Sequence, residues 1–140
     1  MHAKGLIADK CKSMDSKKVP LWLVFENNDP DGDPITVIFK NGDDLRQDLL
    51  TLQLLRVMDK MWQAEGLDLE MLPYGCVATG DELGFIEVVL NSDTISNIQK
   101  SYGGATSAFS KEPLKDWLEK ENKGKDWKPI VDRFVRSTAG

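Results

Sequence analysis

A strand that runs directly into a helix constrains the fold of this chain more than any other feature, and it lies at residues 37–48. The β-branched and aromatic run Val37-Ile38-Phe39 favours a strand. Asn41-Gly42 follows Lys40 and indicates a tight turn, because both residues tolerate positive φ. Three carboxylates come next, at Asp43, Asp44 and Asp48. A lone cation beside carboxylates is compatible with a phosphate or metal site, but the spacing alone favours a solvated surface turn.

A long helix is predicted from about Asp44 to Ala64. Asp44 and Gln47 have the spacing of a capping box, in which each side chain satisfies a backbone amide at the helix start. The apolar residues cover an arc wider than one stripe, so we expect this helix to be buried between the sheet and other elements. One side carries Leu45, Leu49, Leu52 and Leu55, and another carries Leu50, Leu54, Val57, Met58 and Met61.

The other strands are predicted from short apolar runs bounded by polar turns. They lie at residues 10–14, 21–25, 75–78 and 83–89, with turns at 15–18 and 79–82. Residues 1–9 show little pattern and are expected to be partly flexible. The connection at 26–34 carries alternating carboxylates like a calcium loop, but it lacks the distal glutamate that an EF-hand requires. We therefore predict a plain hairpin connection there.

Three shorter helices are predicted in the C-terminal third. They cover about 93–100, 111–121 and 127 to the end, and a loop lies at 102–107. Ser92 or Asp93 is the expected N-cap of the first, and Ser110 of the second. Gly66 is the expected C-cap of the long helix before them.

The composition describes one soluble domain, or one lobe of a larger protein. The chain has 140 residues, 41% of them hydrophobic, and a net charge of −5. That charge argues against nucleic acid as a partner, and against binding of this segment alone to an anionic membrane. We expect neither a secretory signal nor a membrane-spanning segment, because the sequence contains no apolar run of the required length. Cys11 and Cys76 lack metal or redox spacing and are expected to be buried reduced thiols, and the lone histidine, His2, is a poor catalytic candidate.

Motifs along the chain resemble the class I phosphatidylinositol 3-kinase catalytic subunits. The densest match is Ile38-Phe39-Lys40-Asn41-Gly42-Asp43-Asp44-Leu45-Arg46-Gln47-Asp48, which is similar to the lysine-bearing strand and first helix of their kinase domain. The other matches are Lys10-Cys11-Lys12-Ser13-Met14-Asp15-Ser16, Pro20-Leu21-Trp22-Leu23, Gly66-Leu67-Asp68-Leu69, Met71-Leu72-Pro73-Tyr74-Gly75-Cys76 and Gly84-Phe85-Ile86-Glu87-Val88-Val89. The resemblance implies an α+β kinase N-lobe with a twisted antiparallel sheet and a packed helix. Residues 1–89 would form the N-lobe and hinge, and 90–140 the opening helices of an incomplete C-lobe.

The resemblance also implies an ATP site. Its phosphate contacts would come from Lys40, Ser16 and Lys18. Its adenine pocket and hinge would be formed by Met14, Trp22, Ile38, Tyr74, Ile86, Glu87, Val88 and Val89, with the Glu87 carbonyl and the Val89 amide bonding adenine. Asp48 would be the acid of the inner pocket beside Tyr74, near Lys40, with direct or water-mediated pairing left open. Without the family, Ser16-Lys17-Lys18 would be interpreted as a solvated hairpin tip, and Ile38, Ile86, Val88 and Val89 as sheet core.

The activity implied by the resemblance is transfer of the ATP γ-phosphate to the inositol 3-hydroxyl of phosphoinositides. The whole enzyme would use Mg²⁺, have a regulatory subunit, and work in the cytoplasm and at membranes. The family's Asp-Arg-His and Asp-Phe-Gly motifs do not occur in this chain, so no catalytic residue and no metal ligand is assigned, and we expect it to be inactive alone. The alternative is a catalytically dead folding or interaction fragment that binds no nucleotide. Self-association is also expected, through Leu114, Trp117, Trp127, Ile130 and Phe134.

Overall fold

The computed structural model describes residues 2–101 and 112–140, and it confirms the predicted α+β class. Within these residues, one antiparallel sheet contains β1 (Ala3–Leu6), β2 (Lys12–Ser13), β3 (Leu21–Asn27), β4 (Ile35–Asn41), β5 (Cys76–Gly80) and β6 (Leu83–Glu87). The helices are α1 (Arg46–Ala64), α2 (Ile95–Ser101), α3 (Glu112–Glu121) and α4 (Trp127–Ala139). A 3₁₀ helix at Ala8–Lys10 separates β1 from β2.

The strands follow the order β1-β3-β4-β6-β5, and β2 pairs with β3 outside that path. The described residues fall into two compact units. The first runs to Met61 and includes Leu72–Val89, and the second comprises Trp62–Met71 and Leu90–Gly140. The division of the chain into a lobe ending at residue 89 and the start of a second lobe stays a prediction. In the described residues, no helix is both long enough and apolar enough to cross a bilayer.

The core of the first unit lies between α1 and the β5–β6 pair. Leu45 is 2% exposed, and it packs with the buried residues Leu52 and Cys76. Leu55, Ala78 and Ile86 complete this cluster from the helix and the two strands. One side of the predicted apolar arc of α1 is therefore covered by the sheet.

The other side of α1 is exposed, so the prediction of a helix buried between the sheet and other elements is wrong for that side. The exposed residues are Leu50, Leu54, Val57, Met58 and Met61, which are 41–64% exposed. The described part of the chain supplies a sheet for one face of the helix and no cover for the second face.

The N-terminal residues form a strand instead of the partly flexible segment that was predicted. β1 pairs with β3, and the Asn28 N–H donates to the His2 carbonyl at 2.8 Å. The predicted strand at 10–14 is also shorter, because the 3₁₀ helix occupies its beginning and only Lys12–Ser13 pairs. Both differences come from pairing with a distant strand, which local sequence pattern does not report.

The structure confirms some helix boundaries and corrects others. Gly66 ends α1 as predicted: its φ is 77°, its N–H donates to the Gln63 carbonyl, and the next N–H donates to the Trp62 carbonyl. The cap of α2 is Thr94 instead of Ser92 or Asp93, because the Thr94 Oγ1 accepts the Asn97 N–H at 3.1 Å. Asp126 caps α4 through the Lys128 N–H. The Ser110 cap and the 102–107 loop lie outside the described residues.

The apolar residues expected to drive self-association are partly buried. Trp117 on α3 and Phe134 on α4 are half-buried, as are the other members of the predicted set, Leu114, Trp127 and Ile130. Self-association through this set stays a prediction.

Candidate nucleotide-binding site

Three predicted adenine-pocket residues form one line across the sheet. Trp22 on β3 lies directly opposite Ile38 on β4, and Ile38 lies opposite Ile86 on β6. Directly opposed residues of antiparallel strands project from the same face. Ile86 contacts the core cluster beneath α1, so this is the helix-covered face of the sheet. All three are half-buried and offer an apolar surface suited to a flat base.

Lys40 lies on the same face, two residues beyond Ile38 and opposite Gly84. Its Nζ forms an ion pair with the Asp43 carboxylate at 3.0 Å, and the two side chains are 31% and 37% exposed. Asp43 reaches the ammonium because it lies three residues on, in the turn that follows β4. The direct ion pair of Lys40 is therefore with Asp43 and not with the predicted pocket acid Asp48, which is exposed on the first turn of α1.

Lys18, the second lysine predicted to contact phosphate, binds to the turn that follows β4. The Lys18 Nζ donates to the Gly42 carbonyl at 3.0 Å. Gly42 has a φ of 95°, and a Cβ at this position would lie 3.0 Å from the Lys18 Nζ. Glycine thus permits both the backbone conformation and the approach of the lysine. Two ammonium groups from different hairpins converge at one turn, an arrangement that attracts phosphate oxygens.

The hairpin that carries Lys18 also places Met14 and Ser16. The Met14 N–H donates to the Pro20 carbonyl at 2.8 Å, and the Val19 N–H donates to the Ser16 carbonyl at 3.0 Å. Met14 is half-buried and Ser16 is exposed. The predicted turn at 15–18 is present. Backbone bonds on both sides of this turn fix the hairpin that carries Ser16 and Lys18.

The predicted hinge begins at Glu87, the last residue of β6, and Glu87 is hydrogen-bonded to the residue after Tyr74. The Glu87 N–H donates to the Gly75 carbonyl at 2.8 Å, and the Glu87 carboxylate accepts the Gly75 N–H at 2.7 Å. The Val88 N–H donates to the Thr36 carbonyl, and Val89 is 49% exposed. Sequence reasoning gave Glu87 only a backbone role, so its carboxylate contact was missed.

Cys76 on β5 lies opposite Ile86, at one end of the line of apolar residues, and Tyr74 is two residues before it. The Arg56 guanidinium donates to the Tyr74 carbonyl at 2.7 Å, a contact from α1 that no sequence motif indicated. Burial raises the pKa of the Cys76 thiol, and the negative charge of Asp48 acts in the same direction. Cys76 is consequently a protonated residue of the buried core cluster. Asp48 and Lys40 both lie close enough to Cys76 to change the pKa of its thiol, which Asp48 raises and Lys40 lowers.

The start of α1 is held by Asp44 and Arg46, and the predicted capping box with Gln47 is wrong. The Asp44 carboxylate accepts the Arg46 N–H at 3.1 Å and the Arg46 guanidinium at 2.8 Å. It therefore bonds the amide two residues on instead of the one three residues on. The Arg46 hydrogen bonds lower the pKa of Asp44 from 3.8 to about 2.

This lowered pKa predicts an acid-sensitive contribution to stability. Because the folded pKa of Asp44 lies below its unfolded value, the contribution is complete above pH 4 and is lost as the pH falls from about 4 to about 2. The free energy of unfolding of the chain and of Asp44→Asn, measured by urea titration, should therefore differ at pH 5 and converge toward pH 2. Salt should reduce the difference because both side chains are solvated. A difference independent of pH would contradict the assignment.

Comparison with known proteins adds evidence to this geometry. The family model described as phosphatidylinositol 3- and 4-kinase matches residues 34–140. The chain belongs to this family. It is 56% identical to phosphatidylinositol 3-kinase 2 of Dictyostelium discoideum over 140 residues, which are 99% of the chain and 8% of that relative. It is 59% identical to phosphatidylinositol 3-kinase 1 of the same organism over 141 residues, 99% of the chain and 9% of the relative.

The similarity to phosphatidylinositol 3-kinases covers nearly the whole chain but only a small part of those proteins. Phosphatidylinositol 3-kinase 3 of D. discoideum gives the same pattern, with 52% identity over 97% of this chain and 8% of its own length. The chain thus spans less than a tenth of the curated relatives it matches. Its matched segment includes β4 with Lys40, the turn at Gly42 and α1.

Proposed function

We propose that the chain is the ATP-facing part of a phosphatidylinositol 3-kinase. The whole protein would transfer the γ-phosphate of ATP to the inositol 3-hydroxyl of phosphoinositides. The observation that carries the proposal is the convergence of Lys18 and Lys40 at the Gly42 turn, beside the line of Trp22, Ile38 and Ile86. The names of the relatives support the choice of lipid substrate.

In this proposal the adenine base and the phosphates of ATP bind to two different surfaces of the chain. Adenine would lie against the apolar line and bond the backbone of Glu87 and Val89. The phosphates would lie at the Lys18 and Lys40 ammonium groups, with Ser16 in the covering hairpin. Because phosphoryl transfer depends mainly on position and on compensation of charge, cations fixed at one turn are the contribution expected of this segment. Asp48 and Tyr74 would line the inner end.

Mg²⁺ supplies charge neutralisation at the phosphates in reactions of this class. Residues 2–101 and 112–140 contain no group of three or more His, Cys, Asp or Glu side chains arranged to hold a metal ion. These residues do not fit a metal site, and we derive no step through the ion. The proposal assigns ATP to this chain and leaves the metal to other parts of the whole protein.

From the class I resemblance we also propose that the whole protein is a class I enzyme. It would have a regulatory subunit and a cytoplasmic location, and it would be recruited to membranes that carry the phosphoinositide substrate. The alternative, an interaction fragment that binds no nucleotide, has one observation in its favour: the exposed apolar side of α1 between Leu50 and Met61.

Titration of ATP and adenosine against the 140-residue chain tests the proposal. We expect both ligands to bind, ATP more tightly because of its phosphates. Mg²⁺ should weaken the binding of ATP, whose charge it neutralises, and leave the binding of adenosine unchanged. The same chain should transfer no labelled phosphate to phosphatidylinositol, since the Asp-Arg-His and Asp-Phe-Gly motifs do not occur in it. Absence of binding by both ligands would favour the interaction fragment. Phosphate transfer that depends on Lys40 would show that the chain is catalytically active and that our assignment of ATP binding alone is incorrect.

A further inference from the structure

Lys12 on β2 contacts the proposed adenine wall, although no role has been assigned to it. It lies directly opposite Trp22 on β3, and its Nζ is 5.3 Å from the centroid of the indole ring. This distance is within the range of a cation–π interaction. Lys12 is exposed whereas Trp22 is half-buried, so the contact joins a solvated cation to a partly buried ring.

The register places Lys12 at the outer end of the apolar line. Trp22 has Ile38 opposite it on β4 and Lys12 opposite it on β2. β2 pairs with β3 and not with a further strand in the described residues. On its outer side, the indole therefore has the Lys12 side chain as its cross-strand neighbour. A large ring at the edge of a sheet face has rotational freedom that such a contact removes.

The backbone on both sides of Lys12 is fixed to β3. The Cys11 Sγ accepts the Val24 N–H at 3.4 Å, and the Met14 N–H donates to the Pro20 carbonyl at 2.8 Å. These bonds hold the register of a strand only two residues long. The lysine is consequently presented to the ring by a defined backbone and not by a mobile terminus.

We infer that Lys12 is a positioning residue, which holds the Trp22 indole as the outer wall of the subsite for a flat aromatic base. The inference rests on the proposed function and deepens it. Because Lys12 acts through Trp22, it should affect the binding of the base and not the binding of the phosphates. Adenosine, which contains the base without phosphates, is therefore the appropriate probe.

The test compares three variants of the 140-residue chain. Lys12→Met keeps most of the side-chain stem and removes the charge, and it should weaken adenosine binding about two-fold to five-fold, as expected for one exposed cation–π contact. Lys12→Arg should retain the affinity because a guanidinium also stacks on aromatic faces. Lys10→Met, the matched control on the exposed 3₁₀ helix, makes the same charge change and should leave binding unaltered.

A second pair of measurements distinguishes positioning from a general effect. In a Trp22→Leu background, Lys12→Met should cause no further loss of adenosine affinity. The Trp22 fluorescence, obtained as the difference between chains with and without Trp22→Leu, should become more accessible to acrylamide in Lys12→Met.

The possible failures are separable. If the unaltered chain binds no adenosine, the proposed function and this inference both fail. If the unaltered chain binds adenosine and Lys12→Met binds equally well, only the inference is overturned. An equal loss with and without Trp22 would also overturn it, because Lys12 would then act independently of the indole.

Discussion

Lys40→Ala is expected to weaken ATP binding about ten-fold to hundred-fold and to leave adenosine binding nearly unchanged. A partly exposed charge-assisted hydrogen bond contributes about 1.5–3 kcal/mol, which gives this range. The adenine contacts proposed for Glu87 and Val89 come from the hinge backbone and do not involve the lysine. The measurement is calorimetric titration of both ligands at fixed ionic strength.

The ion pair of Lys40 with Asp43 calls for a control, because Lys40→Ala removes that pair together with any phosphate contact. Asp43→Asn removes the ion pair and keeps the ammonium group. It should not reproduce the selective loss of ATP affinity. Lys40→Arg should restore the binding only in part, because the longer planar group does not occupy the position of the ammonium charge.

Each outcome for Lys40→Ala has a distinct meaning. An equal loss for ATP and adenosine would mean that Lys40 supports the fold and does not contact phosphate. No change for either ligand would mean that the assignment of the site is incorrect. A selective loss of ATP that Asp43→Asn shares would assign the effect to the ion pair instead of the ammonium group.

Local periodicity predicted those strands and helices whose own apolar spacing indicates the type of element. The run at Val37-Ile38-Phe39 lies in β4, and the helical spacing after Asp44 corresponds to α1. β1 was missed because Ala3–Leu6 is a strand only through its pairing with β3. The exposure of Leu50 could not be read from the sequence either, since periodicity identifies an apolar face but not what covers it.

The site was predicted through family resemblance more than through physical pattern. The hairpin that carries Ser16 and Lys18 has no glycine-rich motif, so its composition alone did not distinguish these two residues from a solvated tip. The acid beside Lys40 depends on the conformation of the following turn, which is why Asp43 forms the ion pair and Asp48 does not.

Lys12 was missed because of a register difference of one residue. A hairpin centred on the predicted turn at 15–18 would pair Lys12 with Leu21, whereas the structure pairs it with Trp22. Val19 has a φ of 45°, an unusual value for a β-branched residue, in the connection that precedes β3. A shift of one residue moves each side chain to the opposite face of the sheet, so the lysine could not be placed beside the indole beforehand.

Leu45→Ala should have the largest effect on stability, a loss of about 2–5 kcal/mol in the free energy of unfolding. Leu45 is 2% exposed and precedes α1 directly. A Cβ added to Gly84 would lie 2.6 Å from the Leu45 Cδ1, so this leucine fills the space above the glycine that faces Lys40 across the strands. Truncation leaves a cavity between the helix and the sheet that the rigid strands refill only in part.

Leu50→Ala is the matched control, because it makes the same chemical change near the start of the same helix at a residue that is 59% exposed. It should change the free energy of unfolding by no more than about 0.5 kcal/mol. Urea unfolding followed by circular dichroism measures both variants, and equal losses would show that Leu45 does not anchor α1. Because Leu45 packs over the residue opposite Lys40, its truncation should also weaken ATP binding in the folded chain, whereas Leu50→Ala should not. The packing of α1 on the sheet would then determine the position of Lys40, the lysine proposed to bind phosphate.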